Sequence, residues 1–378
     1  MPLSDLRYQK KRRDLESLIE HTDSFKLIPR FITRPWTFNF RDGLIKQTEY
    51  SLKKRLDLVA ELVDYGLSGI EILYQYEINE ENLDFFQKFV RGNFLRLASI
   101  VVDYSFDPAF ESGSLSSPVK KIRNQAIEHL KAALEISEEL NTDYTLIMLN
   151  NDGYESAFGL DLTAARDRFA TGVAEALEAV SSARIAFQTT QTRQHQHSLF
   201  HSASDLIMLC QKIESLITNP DLRERMYAGH TVITVAPDLK YIAQTREEPA
   251  SAANFLMEGA RLAGISYCTF PHATLYGANE ISEDSFNIKG LLYALKMTGF
   301  IENMSLQVDS HIAPPVQALK NLMDKFRAYI AFVNYLDDDK IILSHMNPGN
   351  NKGWLEAYLV RANSPHVNTL PPLEFFQM

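Results

Sequence analysis

Cysteine is nearly absent from this chain: 378 residues contain two, Cys210 and Cys268, far apart and each inside an apolar run. A disulfide framework or a thiolate metal site needs more cysteines at closer spacing, so both are expected to be buried free thiols in a reducing compartment. Excess positive charge is also missing. Lys and Arg number 38 against 48 Asp and Glu, a formal net charge of -10. Sequence-independent binding to nucleic acid depends on clustered cations that release phosphate counterions, and that class of partner is excluded. The one basic run, Lys10 to Arg13, reads as a solvated helix face.

Long apolar runs are lacking too. None approaches the roughly 20 residues that cross a bilayer, and the first residues are charged and without an apolar signal core. The expectation is a cytoplasmic protein with no membrane partner. Neither G-x-G-x-x-G nor G-x-x-x-x-G-K follows any strand-like run, and no G-x-S-x-G, H-E-x-x-H or Cys/His signature occurs. Dinucleotide cofactors, P-loop chemistry and the common hydrolytic nucleophiles lose their sequence support.

What the chain does contain is alternation. Eight short runs rich in β-branched and aliphatic residues recur: KLIPRFIT (26–33), GIEIL (69–73), RLASIVV (96–102), YTLIMLN (144–150), ARIAFQT (183–189), HTVITVA (230–236), GISYCTF (264–270) and MSLQVDS (304–310). Amphipathic segments lie between them. In SLKKRLDLVAELVDYG, Leu52, Leu56, Val59, Leu62 and Val63 share one helical stripe that Gly66 ends. In SPVKKIRNQAIEHLKAALEISEEL, Ser117 is the expected N-cap and Pro118 the expected first helical residue. Near-continuous apolar strands alternating with helices specify an α/β fold with a parallel sheet covered on both faces. Eight repeats specify a (β/α)8 TIM barrel with a C-terminal extension, rather than an open doubly wound sheet. The expected organisation is an N-terminal helical extension over 1–25, the barrel over 26–336, and a tail over 337–378 that packs on the barrel or on a partner subunit.

In such a barrel the working residues sit at the C-terminal ends of the strands and in the loops that follow. That rule selects Trp36 and Asn39; Tyr74 and Tyr76; Asp103, Tyr104, Phe106 and Phe110; and Asn150, Asn151, Asp152 and Glu155. From the second half it selects Gln188, Gln191, His195 and His197; Asp238; His272 and Glu280; and Asp309 and His311. Rings cover the C–H faces of a sugar and amides bond its hydroxyls. A sugar or related small polar metabolite is therefore the expected ligand, with Trp36, Tyr74, Phe106, Asn150, Asn151, Gln188 and His311 as its binding residues.

With these positions laid out, the chain resembles the xylose isomerase family and the wider xylose isomerase-like TIM barrels over most of residues 26–340. FDPAFESG (106–113) is similar to the family's Phe-Pro-Phe loop after strand three, and LNNDGYES (149–156) looks like a shortened form of its strand-four motif. The Trp36 loop and the helix containing FRAYIAFVNYL also stand where the family has theirs. The resemblance implies two divalent metals held by carboxylates from strands five to eight, which orient an open-chain sugar for a hydride shift.

Most of those acids are missing. Gln188-Thr189-Thr190 stands where the family has Glu-Pro-Lys, VAPDLKY offers only Asp238, and YCTFPHATLYGANE offers His272 and Glu280. Asp309 alone keeps its place, and Leu73 or Tyr74 matches the strand-two histidine. The expectation is a degenerate metal site with no cofactor. A rebuilt transition-metal site from His195, His197, His272 and Asp309 is one alternative, with His197 and His201 at i, i+4 if a helix starts near Ser198. A metal-free acid/base pair of Asp309 and His272, giving an isomerase, epimerase or lyase, is a second. A non-catalytic scaffold partner of an active homologue is a third. A homo-oligomer is a separate partner expectation.

Overall fold

A computed structural model describes residues 26–362 apart from Asn39, 43–45, Glu49, Ser112, 190–196, 229–230, Arg246, Ala260, 269–287, 309–313 and Asn347. Eight parallel strands form one sheet: β1 (Arg30–Thr33), β2 (Gly69–Leu73), β3 (Arg96–Val102), β4 (Tyr144–Met148), β5 (Ile185–Gln188), β6 (Ile233–Val235), β7 (Gly264–Cys268) and β8 (Asn303–Gln307). Their spatial order is β6-β5-β4-β3-β2-β1-β8-β7. The β6–β7 seam carries two parallel bridges, Val235 to Leu262 and Asp238 to Ser266, so the sheet is a nearly closed (β/α)8 barrel. Each strand is followed by a helix on the outside: α1 (Leu52–Ala60), α2 (Leu83–Gly92), α3 (Lys120–Glu139), α4 (Leu162–Ala179), α5 (Ala203–Leu216), α6 (Pro249–Glu258), α7 (Ile288–Met297) and α8 (Pro315–Tyr335).

Successive side chains on a strand point to opposite faces, and this parity divides the core in two. Ile70 and Ile72 of β2, Ile100 and Val102 of β3, Ile185 and Phe187 of β5 and Met304 and Leu306 of β8 pack against the helices in one large cluster. Leu73, Val101, Tyr144, Leu146, Ala186, Ala236 and Ala263 form a second, smaller cluster inside the barrel. Gly264 belongs to the inner set for a steric reason: a Cβ there would lie 2.9 Å from the Tyr144 hydroxyl.

The floor of the barrel is polar. Arg96 at the start of β3 donates through Nη1 to both carboxylate oxygens of Asp143, at 2.8 and 2.6 Å, and through Nη2 to Asn303 Oδ1 at 2.7 Å. Asn303 Nδ2 closes the ring on Asp143 Oδ2 at 2.8 Å. On the outside, the buried Arg261 forks onto Glu214 of α5 at 2.8 and 2.7 Å and reaches the Ile233 carbonyl, which ties α5 to the seam strand. After α8, a helix over Asp338–Met346 is held to α7 by the ion pair of buried Lys296 with Asp338 at 2.6 Å.

Two local expectations are corrected. Helix α3 begins at Lys120 with Val119 as its N-cap, not at Pro118 behind Ser117. The serine loop is committed elsewhere: the buried Asp152 accepts from the backbone N–H of Ser114 and Ser116 at 3.1 and 2.9 Å and from both hydroxyls. Helix α5 starts at Ala203, where Ser202 and Asp205 form a capping box, so His197 and His201 do not share a helical face. The N-terminal extension over 1–25 lies outside the described residues.

Candidate functional site

Arg34 follows β1 and extends into the barrel, where it meets three other strands. Its Nε donates to Glu71 Oε2 at 2.9 Å, its Nη2 to Gln188 Oε1 at 2.7 Å, and its Nη1 lies 3.7 Å from Met148 Sδ. Glu71 also accepts from Ser99 Oγ at 3.0 Å and Ser305 Oγ at 2.6 Å, while Gln188 Nε2 donates to the Ala236 carbonyl at 2.9 Å. The centre of the barrel is therefore an ion pair wrapped in hydroxyls and an amide. Burial of two charges is tolerated only with such complete pairing. A guanidinium carries five N–H donors and three are engaged here, which leaves two at a side chain 12% exposed.

Above this network stands an aromatic group. Trp36, in a single turn over Pro35–Phe38, meets Phe106 edge-on at 5.2 Å, and Tyr76 packs on the other side of Phe106 at 4.9 Å and donates to its carbonyl. The Arg55 guanidinium lies over Trp36 at 5.1 Å and pairs with the buried Glu77, whose second oxygen accepts from the Leu73 N–H at 3.0 Å. Burial pushes the Glu77 carboxyl up, and the Arg55 charge opposes that shift. Phe106 and Met148 both pack on the inner cluster, so the aromatic group overlies the Arg34 network.

The strand-four amides divide by parity. Asn150 continues the inward series of Leu146 and Met148 and donates to Asp103 Oδ1 at 2.9 Å and Ser105 Oγ at 3.3 Å. Its Oδ1 is buried and has no partner among the described residues. Asn151 donates to the Phe110 carbonyl in the outer wall. Tyr74 is outward as well: its hydroxyl donates to Glu80 at 2.8 Å, its ring meets His129 of α3 at 4.7 Å, and burial pushes its phenol up to about 12. Of the residues that the sequence selected for ligand binding, the fold thus gathers Trp36, Phe106, Asn150 and Gln188 at the mouth and puts Tyr74 and Asn151 on the far side of the wall.

His197 pairs with Tyr154 in a two-stranded ribbon on the rim, its ring 5.2 Å from the tyrosine ring, and is exposed. His201 Nδ1 lies 3.2 Å from Asp205 Oδ2. Asp238 Oδ1 accepts from the Tyr241 N–H at 2.9 Å and caps the short helix after β6. His195, His272, Asp309 and His311 lie outside the described residues. Among the described residues no three His, Cys, Asp or Glu side chains come together to hold a metal ion, and no helix is long and apolar enough to cross a membrane.

Sequence reasoning missed Arg34 and Glu71. The signal was available: Glu71 is a lone acid inside GIEIL at the parity of Leu73, and Arg34 follows Phe31-Ile32-Thr33 at the parity of Ile32.

Eight parallel strands with polar groups converging inside them define a protein of the (β/α)8 barrel class. Residues 59–329 match the xylose isomerase-like TIM barrel family model, and the chain belongs to that family. No curated protein sequence matches it. Among solved structures it is similar to an L-ribulose 3-epimerase, with 13% identity, coverage of 90% of this chain and 99% of that one and a TM-score of 0.53. A 3-keto-D-glucoside 4-epimerase from E. coli has 10% identity, 80% and 100% coverage and a TM-score of 0.54. A D-allulose 3-epimerase from Methylomonas sp. in complex with D-allulose has 11% identity, 81% and 99% coverage and a TM-score of 0.57. At these identities the likeness establishes the shared fold.

Proposed function

We propose that this protein binds a sugar or a related polar metabolite at the barrel mouth and does so without a two-metal site. The observation that carries the reading is the Arg34 guanidinium, held by Glu71 and Gln188, with two N–H donors unengaged. Two residues beyond Met148, which the guanidinium touches, Asn150 Oδ1 is a buried acceptor without a partner among the described residues. Spare donors and a spare acceptor on the inner face of one barrel suit a polyhydroxylated ligand, because a sugar hydroxyl both gives and takes a hydrogen bond. The Trp36 and Phe106 rings supply cover for a C–H face.

The pair of divalent metals implied by the family resemblance does not fit the described donors at the end of β5. Gln188 offers an amide oxygen that already accepts from a cation, whereas hard divalent ions depend on carboxylate charge. Glu71 is neutralised by Arg34, so the ion pair presents no net charge, which favours a neutral ligand. The structure neighbours include a D-allulose complex and several ketose epimerases, which supports a ketose-like ligand. If the site turns substrate over, this reading assigns the acid and base to Asp309 and His272.

Two measurements test it. Elemental analysis of the purified protein is expected to give substoichiometric Mn, Co, Zn and Mg; one or two equivalents of any of them overturn the metal-free site. A thermal-shift screen of ketoses, aldoses and sugar phosphates is expected to raise the midpoint with neutral ketoses, since a ligand selective for the native state stabilises it by mass action. Arg34→Lys is expected to abolish that response, and a response that survives it removes Arg34 from the site.

A further inference from the structure

Outside the barrel wall a cavity of about 810 Å³ opens between α3 and the loops after β2 and β3. Tyr74, Phe110 and His129 form its floor, with ring contacts of 4.7 Å between Tyr74 and His129 and 6.0 Å between Phe110 and His129. Three amides line it, those of Gln75, Asn124 and Gln125. Its charged groups are Lys120 and Lys121 against Asp107 and Glu128, which cancel.

Gln75 adds a backbone observation. Among the described residues three non-glycines have positive φ. Phe94 and Asn141 come just past the ends of α2 and α3, where a left-handed residue is an ordinary helix terminus. Gln75, at φ +66°, follows a strand and is held by its N–H bond to the Ile78 carbonyl at 2.8 Å. Backbone strain of this kind clusters at ligand clamps and switch regions, and here it sits at a residue that lines the cavity.

We propose that this groove is a second binding site, for a neutral carbohydrate such as a glycoside or short oligosaccharide, independent of the barrel mouth. The volume lies within the range of about 300–1,000 Å³ that encloses small ligands. An apolar floor under a rim of amides and balanced charges suits a polyhydroxylated, uncharged molecule: the amides and carboxylates bond hydroxyls, and the lysines face no unbalanced anion. Burial holds the His129 imidazole down to about 4, so the floor is uncharged at neutral pH.

The test uses the full chain with ¹³C-labelled histidine rings and follows the His129 resonance, assigned by its loss in His129→Gln. Maltose and cellobiose are the neutral probes; gluconate and inorganic phosphate are the anionic ones. Maltose or cellobiose is expected to shift the resonance saturably. The double variant Asn124→Ala/Gln125→Ala, on the exposed face of α3 where alanine preserves the helix, is expected to weaken that binding about tenfold or more, as loss of two hydrogen bonds implies. Lys120→Glu/Lys121→Glu is expected to leave it within about threefold, as exposed charges facing a neutral ligand imply. Arg34→Lys is expected to leave it unchanged, which separates this site from the mouth. The proposal is overturned if neither disaccharide moves the resonance, if only the anions do, or if Arg34→Lys abolishes the effect.

Discussion

Glu71 and Tyr74 are three residues apart in the chain and stand on opposite faces of the same barrel wall. Inside, Glu71 pairs with Arg34, and its hydrogen bonds from the described residues come from across the barrel: from Arg34 just after β1, Ser99 of β3 and Ser305 of β8. Outside, Tyr74 and His129 pack as neutral rings, and burial keeps the histidine from taking a proton. Polarity survives in the interior through pairing and on the floor of the groove through suppression of the His129 charge. The two devices fail under different perturbations, and that difference can be measured.

The largest expected effect breaks the interior. Arg34→Met leaves Glu71 as an uncompensated buried charge, and the cost is expected to be about 3–5 kcal/mol in urea denaturation. Adding Glu71→Gln should return a large part of that loss, because the neutral amide no longer demands a cation. If the double variant is as unstable as the single one, the pair is not the source of the interior's stability.

Acid sharpens the comparison from the other side. The folded His129 titrates near 4 and an unfolded histidine near about 6.5, so the unfolded chain takes up the proton first. Stability is then expected to fall as pH drops from about 6.5 to about 4, by about 3 kcal/mol from this group, and to be constant with respect to it above that window. His129→Phe should flatten that component between pH 7 and 4.5. An unchanged slope would assign it to other groups.

Smaller changes probe the mouth. Asn150→Ala removes two hydrogen bonds and the spare acceptor, and is expected to cost about 1–2 kcal/mol of stability and to reduce any sugar-induced thermal shift by about tenfold in apparent affinity. Tyr76→Phe removes only the exposed hydroxyl's bond to the Phe106 carbonyl, and is expected to change stability by less than about 1 kcal/mol while the aromatic group stays intact. A sugar response lost in Tyr76→Phe but kept in Asn150→Ala would move the ligand from the strand ends to the aromatic rim.

Much of the fold was legible. The runs GIEIL and RLASIVV coincide with β2 and β3 to the residue, and MSLQVDS lies within one residue of the start of β8. KLIPRFIT was read too long: β1 begins at Arg30, just past Pro29, whose missing N–H cannot serve a parallel ladder. The site was legible in part. Trp36, Phe106, Asn150 and Gln188 could be placed at the mouth because strand ends are visible in sequence; their role as ligand contacts stays a proposal. Tyr74 was grouped with them because proximity to a strand end does not distinguish the two faces, and one step in parity does.

Local sequence determined what is periodic: eight apolar strands, the helices that cover them, and which side chains alternate inward and outward. It could not determine that Arg34 and Gln188, 154 residues apart, meet at 2.7 Å, nor that Glu71 draws a hydroxyl from Ser305. Periodicity describes neighbours within one turn or one pleat and carries no distance across a barrel. Closure of the sheet brings β1, β2, β5 and β8 to a common centre, and there the polar groups found partners because, left unpaired in that interior, none of them would have been tolerated.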